Sequence, residues 1–253
     1  MRVILCLFAL VFGLSPLLAD DKAAPWWPLS KGTFWVYEGD VSWVDKDPAT
    51  GQNQVNNKHL TWRSEVVDVV EKRGAVLLHG FPTDLAWYKS DTKPSDTLIL
   101  QVGPDYYRVR NKPLEVFQMI KGGYPDPPNG HPDPNTAELF LPTPLALGKQ
   151  FGMGDTIIEL FSSRYCSLVE NVAPFDLRTV KNAPKLDHPL SYGITFHTTP
   201  DNDEVDFVPG LGITYYYYLH HGTTMEVSIR LLEFGQPASL EIPKEKMTRA
   251  GPD

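Results

Sequence analysis

The chain holds only two cysteines, Cys6 and Cys166, and its 23 Lys and Arg are outnumbered by 31 Asp and Glu. It also lacks an apolar run of the ~20 residues that a spanning helix needs. Each scarcity excludes something. Cys6 lies inside the apolar stretch Val3 to Leu14. If that stretch is removed, Cys166 is left alone, and a lone thiol cannot staple the fold with an internal disulfide. The acidic balance opposes non-specific binding to nucleic acid or anionic membranes, which needs clustered Lys and Arg. The densest basic group, Lys244-Glu245-Lys246, carries a glutamate inside it.

Catalytic signatures are missing too. There is no GxSxG, no P-loop, no GxGxxG after a strand and no HExxH. The histidines (His59, His79, His131, His188, His197, His220 and His221) show no metal-ligand spacing on one element. His220 and His221 are adjacent, and on a strand they point to opposite faces. Asp201-Asn202-Asp203-Glu204-Val205-Asp206 starts like a calcium loop. Its sixth position is Asp206 in place of glycine and its twelfth is Gly212 in place of glutamate, so it reads as a solvated turn. Cys166 sits in a strand-like stretch and reads as a buried apolar side chain, since a nucleophile needs an activating base. No catalytic residue, metal or cofactor is assigned.

What is present begins at the N-terminus. Arg2 precedes the apolar run, Ser15-Pro16 breaks it, and Ala19 stands before Asp20-Asp21. This is the pattern of an export signal over residues 1–19, cleaved after Ala19. The run is too short for an anchor, and Pro16 interrupts it. Removal of Arg2 leaves 22 Lys and Arg against 31 acids, a net charge of −9. The expected location is the periplasm or the exterior, with no transmembrane span after removal.

Proline is frequent, 23 of 253 residues. The stretches between breakers are short and rich in Val, Ile, Tyr, Phe, Trp and Thr, which predicts an all-β, antiparallel protein. Strands are predicted over 33–43, 60–71, 75–81, 85–89, 97–102, 106–110, 156–161, 165–171, 192–198, 213–219 and 224–234. Leu114–Ile120 fits a strand or a short helix. The proline-rich stretch 124–135 and the mixed stretch 173–189 read as loops. Residues 20–235 form one β-rich domain, and 236–253 a mobile tail.

Pro28-Leu29-Ser30-Lys31-Gly32 precedes Trp35, and Pro144-Leu145-Ala146-Leu147-Gly148 precedes Phe151. The glycine suits a tight turn and the aromatic anchors the next strand. The echo is either a coincidence of turn residues or the opening of two related halves, 26–123 and 138–235. The sheet is then strongly curved, as an open barrel or a sandwich.

The last hairpin can be registered from burial. With His220-His221-Gly222 as a three-residue loop, Tyr217 faces Met225, Tyr215 faces Val227 and Ile213 faces Ile229. One side becomes almost wholly apolar, and a one-residue slip would mix charge into it. Tyr215 and Tyr217 then belong to the core. Tyr216, Tyr218, Glu226 and Arg230 share the polar side and are the predicted ligand-contacting residues.

The ordered set Trp27-Pro28-Leu29…Gly32…Trp35, Pro144-Leu145…Gly148…Phe151 and Phe207-Val208-Pro209-Gly210-Leu211-Gly212 resembles a loose family of uncharacterised, exported bacterial β-rich proteins. The resemblance spans about residues 26–234 and implies an antiparallel curved sheet and export. It implies no activity and no functional residue. Phe151 stands where that family usually has tryptophan.

Three functions follow. The leading one is a non-catalytic cell-envelope or secreted domain that binds a lipid-like, glycan or peptide ligand on the concave side of the sheet. The second is a structural, partner-binding envelope protein that uses a sheet edge. The third is a hydrolase acting on envelope glycans or esters. One outcome is fixed by the leader. Expressed with its own N-terminus in an exporting bacterium, the chain is expected to begin at Asp20 by N-terminal sequencing. A chain still beginning at Met1 overturns cleavage.

Overall fold

The computed structural model describes residues 25–83, 94–109, 111–123, 137–152, 166–197, 201–220 and 225–237. The export signal, the predicted strands 85–89 and 156–161, the proline-rich stretch and nearly all of the C-terminal tail lie outside them. The first six strands are β1 Phe34–Lys46, β2 Asn53–Val70, β3 Ala75–His79, β4 Asp96–Val102, β5 Asp105–Val109 and β6 Ala137–Leu141. The second six are β7 Gln150–Phe151, β8 Ser167–Pro174, β9 Leu190–His197, β10 Asp201–Val208, β11 Gly212–His220 and β12 Met225–Gly235. One helix, α1 Pro113–Lys121, lies between β5 and β6. The ambiguous 114–120 segment is thus helical, with Pro113 at its first position, where a missing N–H costs nothing.

All twelve strands form one antiparallel sheet in the order β6-β5-β4-β3-β2-β1-β12-β11-β10-β9-β8-β7. It curves into a nearly closed barrel. Two six-stranded meanders, β1–β6 and β7–β12, meet where β1 pairs with β12. No helix among the described residues is long and apolar enough to cross a membrane.

The two PLxxG segments make the same bonds in the two meanders. The Gly32 amide donates to the Val66 carbonyl (2.8 Å), and the Val66 amide donates to the Thr33 carbonyl (2.9 Å). The Gly148 amide donates to the Val169 carbonyl (2.8 Å), and the Val169 amide to the Lys149 carbonyl (3.0 Å). Past each valine the pairing with the next strand slips by one residue, at Val67 and at Glu170. A bulge of this kind bends the strand and raises its twist.

Aromatic side chains fill the inside of the curve. Trp27 is 3 % exposed. Its ring lies 5.7–6.2 Å from those of Phe81, Tyr106, Phe140 and Phe207, which come from both meanders. The Trp35 indole donates to the Leu211 carbonyl at 2.6 Å, and the Tyr37 hydroxyl to the Ile213 carbonyl at 3.0 Å. These two buried donors are thereby satisfied, as an apolar interior requires. Gly212 has a φ of 107°, and a Cβ there would stand 3.0 Å from both the Trp27 and Trp35 indole nitrogens.

Three strands were not anticipated: β6, the two-residue β7 and β10. The run 201–206 is a strand, not a turn. Its alternation places Val205 and Phe207 in the core while Glu204 and Asp206 face outward. The last hairpin also differs from expectation. His220 pairs with Met225, Tyr216 with Ile229 and Tyr215 with Arg230. The pairing ends at His220 and Met225 in place of the predicted three-residue loop 220–222, an odd shift of register that turns β11 over, and a bulge on β11 accommodates it. Phe207 pairs with Ile213 but Asp206 with Tyr215, so Thr214 is an extra residue on β11. Leu211 and Ile213 point inward as predicted, the extra residue reverses the phase, and Tyr216 follows them into the core.

Replacing Trp27 with alanine is expected to cost about 3–5 kcal/mol, the range for a large aromatic lost from a packed core. Urea unfolding of the purified chain measures it. A loss below about 1 kcal/mol would mean that the interior repacks without it.

Candidate functional site

Residues opposite one another in an antiparallel pair share a face. On β12, Val227, Ile229 and Leu231 are buried, so Glu226, Ser228 and Arg230 face out. Their partners on β11 are Leu219, Tyr217 and Tyr215. The predicted site therefore divides. Glu226 and Arg230 stand on the outer face, whereas Tyr216, 1 % exposed, lies in the core and Tyr218 packs against it. The tyrosines that accompany the two charges are Tyr215 and Tyr217.

Around Arg230 is a groove of about 340 Å³ on the outer face, lined by Glu38, Asp40, His59, Tyr215, Ser228 and Arg230. It crosses β2, β1, β12 and β11 side by side. Arg230 Nη2 is 3.2 Å from Glu38 Oε1. His59 Nδ1 lies 2.9 Å from Asp40 Oδ1. The Tyr215 hydroxyl is 3.2 Å from Ser228 Oγ. Gly39 lines the groove floor, where a Cβ would stand 2.0 Å from the Ser228 carbonyl oxygen, so β1 and β12 approach this closely only over a glycine.

Beyond the groove the outer face continues over β10 and β9. Tyr217 hydrogen-bonds Glu226, and its hydroxyl is held above its ordinary pKa, first by desolvation and then by the Glu226 charge. Asp206 lies between Tyr215 and Gly193. A Cβ at Gly193 would be 3.2 Å from Asp206 Oδ1, so the carboxyl leans across the glycine. On β9, the Thr195 hydroxyl donates to Glu170 Oε2 at 3.0 Å. Strands β8 to β11 contain neither Lys nor Arg.

Ser228, His59 and Asp40 are the residue types of a hydrolytic triad, but their order is wrong for one. Asp40 pairs with Ser228 on one side and His59 on the other, so the carboxylate stands between serine and histidine. A triad needs the histidine in the middle. Among the described residues, no three His, Cys, Asp or Glu side chains converge as a metal site requires. Cys166 is buried, and desolvation pushes its thiol up, away from a reactive thiolate.

Glu38 and Asp40 are not singled out from the sequence, which reads His59 as a lone histidine, Asp206 as part of a solvated turn and Tyr215 as core. The alternation Glu38-Gly39-Asp40 between buried Tyr37 and Val41 marks an outward acidic stripe on β1. Nothing in it shows that the last strand lies alongside.

No family model matches the chain, and no curated protein matches it significantly. A solved structure of a candidate exported protein with YMCC-like fold, from Bacteroides fragilis, covers 84% of this chain and 100% of its own. Its identity is 8% and the TM-score 0.38, so the likeness carries no argument here.

Burial holds the Asp206 carboxyl above the ordinary range. The folded chain thus keeps this proton to higher pH than the unfolded one. Stability falls as pH rises from the usual Asp pKa of about 3.9 through the raised value. Asp206→Asn is expected to remove that fall. By urea unfolding the variant should gain on the wild type at pH 7 and not at pH 3.5. Equal differences at both pH values would show that Asp206 is not desolvated.

Proposed function

We propose that this is an exported, non-catalytic β-domain that binds a cationic peptide segment across the outer face of its second meander. The observation that carries it is the charge of that face. Glu204, Asp206 and Glu226 flank Tyr215 and Tyr217, the adjoining groove adds Glu38 and Asp40, and β8 to β11 supply no cation. Such a surface attracts Lys and Arg at long range and offers them carboxylates at contact. The tyrosines add amphipathic contact area at small entropic cost.

Residues 1–19 support export, to the periplasm or beyond. The packing of Trp27 speaks against a lipid-like ligand on the concave side, since its neighbours occupy that space. The strand order at the groove speaks against the hydrolase, because Ser228 Oγ meets Tyr215 and no histidine stands between it and Asp40.

Isothermal titration of the chain from Asp20 tests this, with a flexible lysine–glycine repeat peptide and a neutral chito-oligosaccharide as probes. The peptide is expected to bind, to weaken as salt screens the charges, and to weaken at least threefold in a Glu204→Gln, Glu226→Gln double variant. Binding of the sugar without the peptide overturns the proposal, as does peptide binding indifferent to salt.

A further inference from the structure

We infer that the outer face of the second meander seats a basic helix of a partner protein, in the place that α1 holds on the first. This rests on the peptide-binding reading and adds the conformation and position of what binds.

Register carries the inference. Val66 pairs with Leu78, and Val169 with Ile194. Past the matching bulges, Asp68 pairs with Leu77, and Asn171 with Gly193. From Leu77 the pairing runs across the sheet to Leu98, Val109 and Ala137. From Gly193 it runs to Asp206, Tyr215 and Arg230. These two rows occupy the same places in their meanders.

Their surroundings differ. Leu77, Leu98, Val109 and Ala137 are buried beneath α1, whose Phe117 is 0 % exposed. The corresponding row is a glycine, an aspartate, a tyrosine and an arginine. Nothing among the described residues of this chain packs over it as α1 does over the first. The chain's length explains why. The β5–β6 connection has room for α1, whereas only residues 221–224 join β11 to β12. Four residues make about one helical turn, ~6 Å long, too short to cross a sheet face.

The chemistry of the row states what would cover it. α1 meets its face with Phe117 on leucines, and Lys121 reaches Asp68 at 2.6 Å at its end. The second face has a bare glycine, Gly193, where the first has Leu77, and a ring at Tyr215 where the first has Val109. In place of leucine it offers the Asp206 carboxyl, with Glu204 two residues along β10 and Glu226 on the far side of Tyr217. Arg230 is already paired with Glu38. A complementary helix thus carries Lys or Arg three and four residues apart on one side, with an apolar residue over Gly193. Two to three turns suffice, as in the nine-residue α1.

The test uses α1 as template. The probe is a peptide of residues 111–123 with Glu115→Lys and Gln118→Lys, made helical by α-aminoisobutyric acid in place of the exposed Leu114 and Met119. Its control has the same charge and Val116→Pro. Each is titrated into the 15N-labelled chain from Asp20 and followed by amide shifts. The helical probe is expected to move Gly193, Asp206 and Tyr215. The proline control should bind at least tenfold more weakly, and so should the helical probe to a Glu204→Lys variant that retains the wild-type spectrum. If both peptides bind equally, the helix seat is overturned and peptide binding stands. If the helical probe moves only His59 and Glu38, the position is wrong and the inference falls. If neither binds, both readings fall.

Discussion

Everything else is arranged around Trp27. Its ring touches strands of both meanders at once, and the Gly212 backbone is left bare so that the Trp27 and Trp35 indoles fit against it. This packing keeps the sheet curved, and it consumes the concave side as it does so. An interior filled by its own aromatics leaves little room for another molecule on the concave side. That is why the polar chemistry of this chain stands on the outward residues of β1, β10, β11 and β12.

The convex side is itself divided. Across the first meander it is apolar and closed by the chain's own helix; across the second it is acidic, and no helix among the described residues covers it. The bond pattern of the two openings and the matching bulges at Val67 and Glu170 are shared by both meanders. The difference lies in side chains: leucine against glycine, leucine against aspartate, alanine against arginine. Matching rows thus carry an apolar face under a helix on one side of β1 and an acidic face on the other.

Much of the fold is legible in the sequence, since alternation, breakers and β-branched residues mark most strands. What escapes is what alternation cannot carry. Asp201–Val208 has the composition of a turn, and only the inward Val205 and Phe207 make it a strand. The extra residue at Thr214 leaves no mark in composition, yet it decides which tyrosines reach solvent. Reading β11 without it places Tyr216 and Tyr218 outside and hides Tyr215 and Tyr217. Arg230 and Glu226 are placed on the correct face because β12 has no such interruption below Leu231. The groove was out of reach for another reason: Glu38 meets Arg230 only because the first strand pairs with the last.

That pairing has a consequence in time. Every other strand pair here joins neighbours in the chain. The β1–β12 pair spans nearly the whole sequence, and such non-local contacts form late and slowly. As the chain emerges from its N-terminus, β1 finds β2 at once, but its other edge waits for residues 225–235. An open edge that long invites pairing with other chains. The outward Glu38 and Asp40, and the bare Gly39 between them, are the features of a guarded edge. They discourage an unfinished sheet from pairing with a second copy before β12 arrives.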